Sequence, residues 1–436
     1  MSNGLVRRCV ALVVMTVAAG AADAQLQIEI TEYAGKQTPV AVVPFGWEGN
    51  DPTAPYDIDD VIAADLNRSG RFRTIPETDM LQMPVASVDI DFEDWSILGV
   101  EAVIIGTLTQ TDDNVYSLQF QAFDVFTREQ LVGYRMPVSR GTMRIAAHRA
   151  ADMIYEKLTG IPGVFGTKVA YVTAQDQSVN KLYSLVIADM DGENAHTIME
   201  STDPIMSPAW SPDSRQLAYV SFENNVSTIF VQTLRTGNRI RVSSRPGING
   251  APAFSPDGRK LVLTLGGLDG NLDIHVMDLA TRELTRLTTN RAIDTEGSWS
   301  PDGRMIYFTS DRSGGPQVYR VSVDGGAPER VTFEGGYNAR PRLSPDGSKL
   351  AVVHLDRGAY RIGVIDLDSR DLLVVSTGSQ DESPSFAPNS DSLIYATRQG
   401  RNGVLEMVSA DGLVRQRLAS GAGDVREPVW SPFPRY

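Results

Sequence analysis

Cysteine is nearly missing: there is one in 436 residues. A disulfide framework and a thiolate zinc or iron–sulfur site both need several cysteines, so neither is available. Histidine is almost as sparse. His148, His196, His275 and His354 stand far apart, without the i, i+4 spacing of a helical metal motif, and each reads as a surface or packing residue. Positive charge is also in short supply, since 40 Lys and Arg against 54 Asp and Glu leave −14. Bulk attraction to a phosphate backbone is thereby excluded, and no nucleic-acid partner is expected. No apolar run reaches the roughly 20 residues that a spanning helix requires. Nucleophile-elbow, Walker, dinucleotide and His-Glu-x-x-His patterns are all absent. The sequence therefore predicts no catalytic residue, no metal and no cofactor.

An export address is present. Arg7 and Arg8 precede an apolar stretch from Cys9 to Ala19, and Ala22-Asp23-Ala24 offers small residues where signal peptidase reads. Cleavage after Ala24 would remove the only cysteine. It would also remove two Arg and one Asp, taking the net charge from −14 to about −15.

A repeat dominates the remainder. Trp210-Ser211-Pro212-Asp213, Phe254-Ser255-Pro256-Asp257-Gly258, Trp299-Ser300-Pro301-Asp302-Gly303, Leu343-Ser344-Pro345-Asp346-Gly347, Phe386-Ala387-Pro388-Asn389 and Trp430-Ser431-Pro432 recur every 43 to 45 residues. Proline presets φ in Ser-Pro-Asp-Gly, aspartate tolerates the next position, and glycine closes the turn. β-Rich runs such as Leu217-Ala218-Tyr219-Val220 and Ile229-Phe230-Val231 follow, then an alternating run such as Leu284-Thr285-Arg286-Leu287. Four short strands per 40 to 45 residues predict β-propeller blades. The strands Val169–Val172, Leu182–Val186 and Thr197–Met199 lack an innermost partner, and the Trp430 copy lacks followers. Joining them predicts six blades, closed by the C-terminal strand.

Residues 38–162 show no repeat. A buried strand is predicted at Pro39–Phe45 and an amphipathic helix at Ile58–Leu66. Strands at Ala102–Thr109, Val115–Asp124 and Glu129–Met136 and a helix at Met143–Leu158 complete a small α/β domain. Gly160-Ile161-Pro162-Gly163 marks its end. The predicted organisation is 1–24 signal peptide, 25–37 recognition segment, 38–162 α/β domain and 163–436 propeller. Within the segment, Gln25 to Tyr33 alternates polar and apolar residues. That pattern suits either an edge strand on the small domain or a detachable ligand strand.

With no catalytic motif, the blades are left to offer a surface. Loops from each outer strand to the next inner strand emerge on one propeller face. They run Ser201–Met206, Arg245–Ala251, Asn290–Gly297, Glu334–Arg340, Gly378–Ser383 and Ser420–Glu427. Candidate binding residues in them are Met206, Ile248, Asn249, Ala251, Thr295, Glu296, Tyr337, Asn338, Arg340, Asp381 and Glu382. Mixed charge beside apolar groups suits a specific protein interface.

The junction Leu158-Thr159-Gly160-Ile161-Pro162-Gly163-Val164-Phe165, with Asn249-Gly250-Ala251-Pro252-Ala253-Phe254 and the Trp430-Ser431-Pro432 ending, resembles the TolB family of the Tol–Pal system across essentially the whole chain. The resemblance implies a non-enzymatic periplasmic adaptor of Gram-negative bacteria. Its propeller face would bind the peptidoglycan-associated lipoprotein Pal, making it peripheral to the outer membrane. Its segment Gln25, Leu26, Gln27, Ile28, Glu29, Ile30 to Tyr33 would bind TolA. A role in outer-membrane integrity and cell division, and in some bacteria capture by colicins, would follow. The alternative from the residues alone is a secreted propeller hydrolase or a carbohydrate-binding lectin.

Overall fold

The computed structural model describes residues 26–33, 37–176, 180–267, 270–420 and 423–434. The expected signal and Gln25 lie outside them.

The N-terminal domain is a mixed sheet with helices on both faces. Its strand order is Phe72–Thr74, Thr38–Val42, Ala102–Asp112, Val115–Asp124, Gln130–Ser139, and Gly46–Glu48 also pairs with Ala102–Asp112. Thr38–Val42 pairs in parallel with the edge strand Phe72–Thr74 on one side and with Ala102–Asp112 on the other. That is possible because a helix provides the crossover after the first of them. Alternation then divides the core in two. Val40, Val42, Leu118 and Phe120 face α1 (Ile58–Arg68) and the long helix Met143–Thr159. Ala41, Val43, Val103 and Ile105 face Trp95, which lies on a one-turn-and-a-half helix, Phe92–Ile97, that periodicity is too short to reveal. The long helix, α3 in chain order after Phe92–Ile97 (α2), stops at Gly160. This residue adopts φ 75° and returns its N–H to the Glu156 carbonyl at 2.8 Å, a left-handed cap that favours glycine. Asp152 then accepts from the Phe165 and Gly166 amides at 2.7 and 3.2 Å, tying the linker to α3.

Six four-stranded antiparallel blades follow. The first is composite, as expected: Asp424–Trp430 pairs with Lys168–Asp176, setting Trp430 opposite Val169. Lys168 and Ser431 exchange two hydrogen bonds of 2.9 Å, and the Trp430 indole donates to Thr167 Oγ1 at 2.8 Å. The repeated aromatic has a structural task. Trp210 donates to the Val429 carbonyl at 3.1 Å and Trp299 to the Ala253 carbonyl at 3.0 Å, so each wedges its blade against the preceding innermost strand. The Ser-Pro-Asp turns behave as their chemistry requires. Ser211, Ser255, Ser300 and Ser344 each donate to the aspartate two residues on, at 2.5–2.6 Å. Gly258, Gly303 and Gly347 close them at φ 71–76°.

One expectation is corrected. Leu26–Tyr33 is not an edge strand of the small domain. It joins the propeller antiparallel to Val414–Ser420, with Ile28 opposite Leu418 and Glu29 opposite Arg417, as a fifth strand of the sixth blade. The reason is an available edge: Val414–Ser420 is the outermost strand of its blade, with unpaired backbone groups.

Candidate protein-binding face

The face is organised by one irregularity repeated six times. Ser207, Ala251, Glu296, Arg340, Ser383 and Glu427 all have φ between 45° and 59°, and each sits where its innermost strand slips register. Such a bulge re-aims a side chain out of the ladder. Here it gathers six positions around the axis. Arg340 spans them: its Nε donates to Glu296 Oε1 at 2.7 Å, one Nη reaches Glu427 Oε1 at 3.4 Å, and the other bonds Ser383 Oγ. Glu427 Oε2 also accepts the Ser207 amide at 3.1 Å. Burial works against the charged Arg340, but Glu427, Glu296 and Glu382 outweigh it and hold the guanidinium above its usual value.

Above this hub lies a cavity of about 480 Å³ whose walls include Tyr337, Tyr360, Glu382, Arg398 and Arg426. Tyr337 and Tyr360 pack edge to face, 5.1 Å between ring centres. An adjoining cavity of about 260 Å³ takes in Tyr183, Met206 and Lys181. Met206 and Ile248 are exposed, and Met206 lies beside charge of both signs in the second cavity. Ala251, Thr295, Glu296, Tyr337, Arg340 and Glu382 are partly open. The predicted residues thus divide. Asn249, Asn338 and Asp381 are at most 1% exposed and are corrected from contact residues to loop braces. Asn249 Oδ1 accepts from Ser243 Oγ and the Arg245 amide at 2.6 and 3.0 Å. Asn338 donates to Gln317 Oε1 and the Glu334 carbonyl at 3.0 and 2.8 Å. Asp381 accepts from Ser376 and Thr397 hydroxyls. All three stand at one repeat position, where Asp294 likewise grips Arg312. A buried polar group must be satisfied locally, so these side chains shape the loops rather than meet a partner. Tyr183, Lys181, Tyr360 and Arg398 were missed. They flank the hairpins between second and third strands, which open on the same face, a signal that was present in the repeat.

A second cluster joins the domains. Asp65 of α1, His148 of α3 and Asp191 of the first blade bring three ligand-capable atoms within 4.8 Å of one another. Both carboxylates are already engaged: Asp65 and Asp191 pair with Arg68, and Asp191 also with Arg144. Two guanidiniums would repel a metal ion, so the cluster reads as an ionic clasp. His148 Nδ1 is 2.6 Å from Asp65 Oδ2 and its Nε2 is 3.4 Å from Asp191 Oδ2. Burial pulls His148 down, yet the Asp65 hydrogen bond and the charges of Asp65 and Asp191 raise it overall, against Arg144. Its stabilisation is complete below the unfolded value, about 6.5, and fades as pH rises through the folded value. Burial also pushes the neighbouring Asp152 up to about 7, with the same sign between pH 6 and 8. His148→Gln is therefore expected to flatten, without abolishing, the loss of stability from pH 6 to 8. Thermal melts of both proteins across that range check it, and parallel curves would contradict it.

Comparison with known proteins agrees with this architecture. Residues 26–131 match the TolB amino-terminal domain and residues 155–434 the TolB beta propeller domain. The chain is 45% identical over 410 residues to the Tol-Pal system protein TolB of Xanthomonas oryzae pv. oryzae (strain PXO99A), covering 94% of this chain and 93% of that one. It is equally similar, at 45% over the same shares, to the protein of that name from Xanthomonas campestris pv. campestris (strain B100). The crystal structure of TolB from Acinetobacter baumannii superposes with a TM-score of 0.87 at 41% identity, over 94% of this chain and 100% of that chain. With both domains matched and relatives aligned along nearly their whole length, the chain belongs to the TolB family of Tol-Pal system proteins.

Proposed function

We propose that this protein is a non-enzymatic periplasmic adaptor of the Tol–Pal system, binding Pal on the propeller face and TolA through its mature N-terminal segment, in support of outer-membrane integrity and constriction at division. The observation that carries the reading is the face itself. It combines loops braced by buried side chains, the exposed apolar groups Met206 and Ile248, and the Tyr337–Tyr360 pair beside a braced ionic hub. That is the anatomy of a protein interface, apolar anchors within a charged rim. Membership of the family supports the same assignment. The second arm follows from the pairing of Leu26–Tyr33 with Val414–Ser420. A strand added to a blade edge through a backbone ladder can be exchanged for another partner, and a ligand that prefers one of the two states shifts the balance.

The experiment is a binding assay with purified Pal and TolA. Tyr337→Ala combined with Met206→Glu is expected to weaken Pal binding at least ~100-fold, about 2.7 kcal/mol, and to spare TolA. Deleting residues 26–33 is expected to weaken TolA binding by a similar factor. If neither change moves its partner's affinity, the adaptor reading fails. Loss of oligosaccharide binding in Tyr337→Ala would favour the lectin alternative.

A further inference from the structure

Beneath the Arg340 hub the axial channel contains a second charged group without a paired carboxylate. The repeat position two residues beyond the bulge is Ala209, Ala253, Ser298, Ser385 and Val429 in five blades, and Arg342 in the remaining one. Small side chains hollow out a chamber of about 230 Å³, and all six residues line it. Glu296, Arg340 and Glu427 line both the chamber and the cavities of the outer face, so the hub is the roof of the one and the floor of the other. Arg342 donates from Nη1 to the Pro341 carbonyl at 2.9 Å, and among the described residues it makes no ion pair. A guanidinium carries five N–H donors, and this one lines a cavity shaped largely by alanine, serine and proline. Its surroundings suppress its charge through burial, with Glu296 and Glu427 opposing from a distance and Arg340 adding to it. Arg342 is only partly exposed, and a guanidinium confined in this way without an ion pair is suited to an anionic partner.

We infer that the chamber is a binding site for a small monocarboxylate, held by Arg342. The planar fork of a guanidinium matches a carboxylate in a bidentate pair. Charge counting sets the valence. The hub of one arginine and two glutamates sums to −1, Arg342 restores neutrality, and a single negative charge is tolerated where a second would meet the roof glutamates. Monocarboxylates should therefore bind and sulfate should not. The inference is independent of Pal and TolA, since it concerns the side of the hub away from the face cavities.

Sodium acetate is the probe, titrated against sodium sulfate at matched ionic strength with the full-length mature protein, and read by calorimetry and by melting temperature. The expected result is a saturable acetate isotherm with one site per chain and a melting temperature that follows acetate by mass action. Arg342→Met, which keeps length and removes charge, should lose at least ~10-fold in acetate affinity. Ser385→Leu, which fills the chamber and retains Arg342, should lose it equally. Retention of the same isotherm in both variants, equal binding of sulfate and acetate, or no saturable binding to the parent protein would overturn the inference. Circular dichroism of each variant separates loss of a site from loss of the fold.

Discussion

Truncation before Asp424 is expected to leave a protein without a cooperative propeller transition, and Trp430→Ala alone to lower stability by about 3–5 kcal/mol. The closing strand supplies the innermost position of the first blade, where Val425 and Trp430 are buried. Without it Lys168–Asp176 becomes an uncovered edge carrying Val169 and Tyr171, side chains that are fully buried in the intact ring. An open apolar edge invites pairing between chains. The truncated protein should therefore elute as aggregate in gel filtration. Trp430 additionally loses its bond to Thr167 and its packing against Ala387 and Ile394 of the neighbouring blade, so the substitution opens a cavity between blades. For a domain of this size the expected fall in melting temperature is on the order of 10 °C. A melt within about 2 °C of the parent would show that the ring closes by other means.

The second large effect is expected at Arg340. Arg340→Met should lower stability by about 3–5 kcal/mol, because removing one partner leaves charge uncompensated in a confined site. Here the stranded groups are Glu296 and Glu427, which belong to different blades and meet through the same guanidinium. Like charges would then face each other across the axis. The effect should be strongly non-additive. Glu296→Gln introduced into Arg340→Met is expected to restore at least ~1 kcal/mol, since it removes part of the stranded charge. A double-mutant cycle in urea tests this, and simple additivity would mean that the hub is not energetically coupled.

Much of the architecture was legible because a repeat multiplies weak local signals. A single Ser-Pro-Asp-Gly is only a turn, but five near-copies at one interval fix the strand count per blade, and the orphan strands at the two ends fix closure. The aromatic that precedes the turn in five of the six copies, Trp210, Phe254, Trp299, Phe386 and Trp430, is buried, but the indole bonds of Trp210 and Trp299 to the preceding blade leave no mark in the repeat. The helix Phe92–Ile97 and the short strand Phe72–Thr74 escaped notice because they span too few residues for a period to show. The binding face was only half legible. Its loops follow from topology, but Asn249, Asn338 and Asp381 look the same in sequence as exposed polar residues. Their burial depends on hydroxyls and amides contributed by distant strands, such as Ser376 and Thr397 around Asp381.

By itself the sequence determined the two-domain division, six blades and the closing strand, since each rests on local turn chemistry and on hydrophobic periods short enough to read along the chain. Only the tertiary structure decided which side chains share a space. Arg340 meets glutamates 44 and 87 positions away, His148 meets aspartates from two domains, and Leu26–Tyr33 finds its strand partner nearly 400 residues later. Those meetings depend on ring closure and domain docking. Both place charges by geometry rather than by spacing, and no pattern along the chain encodes that distance.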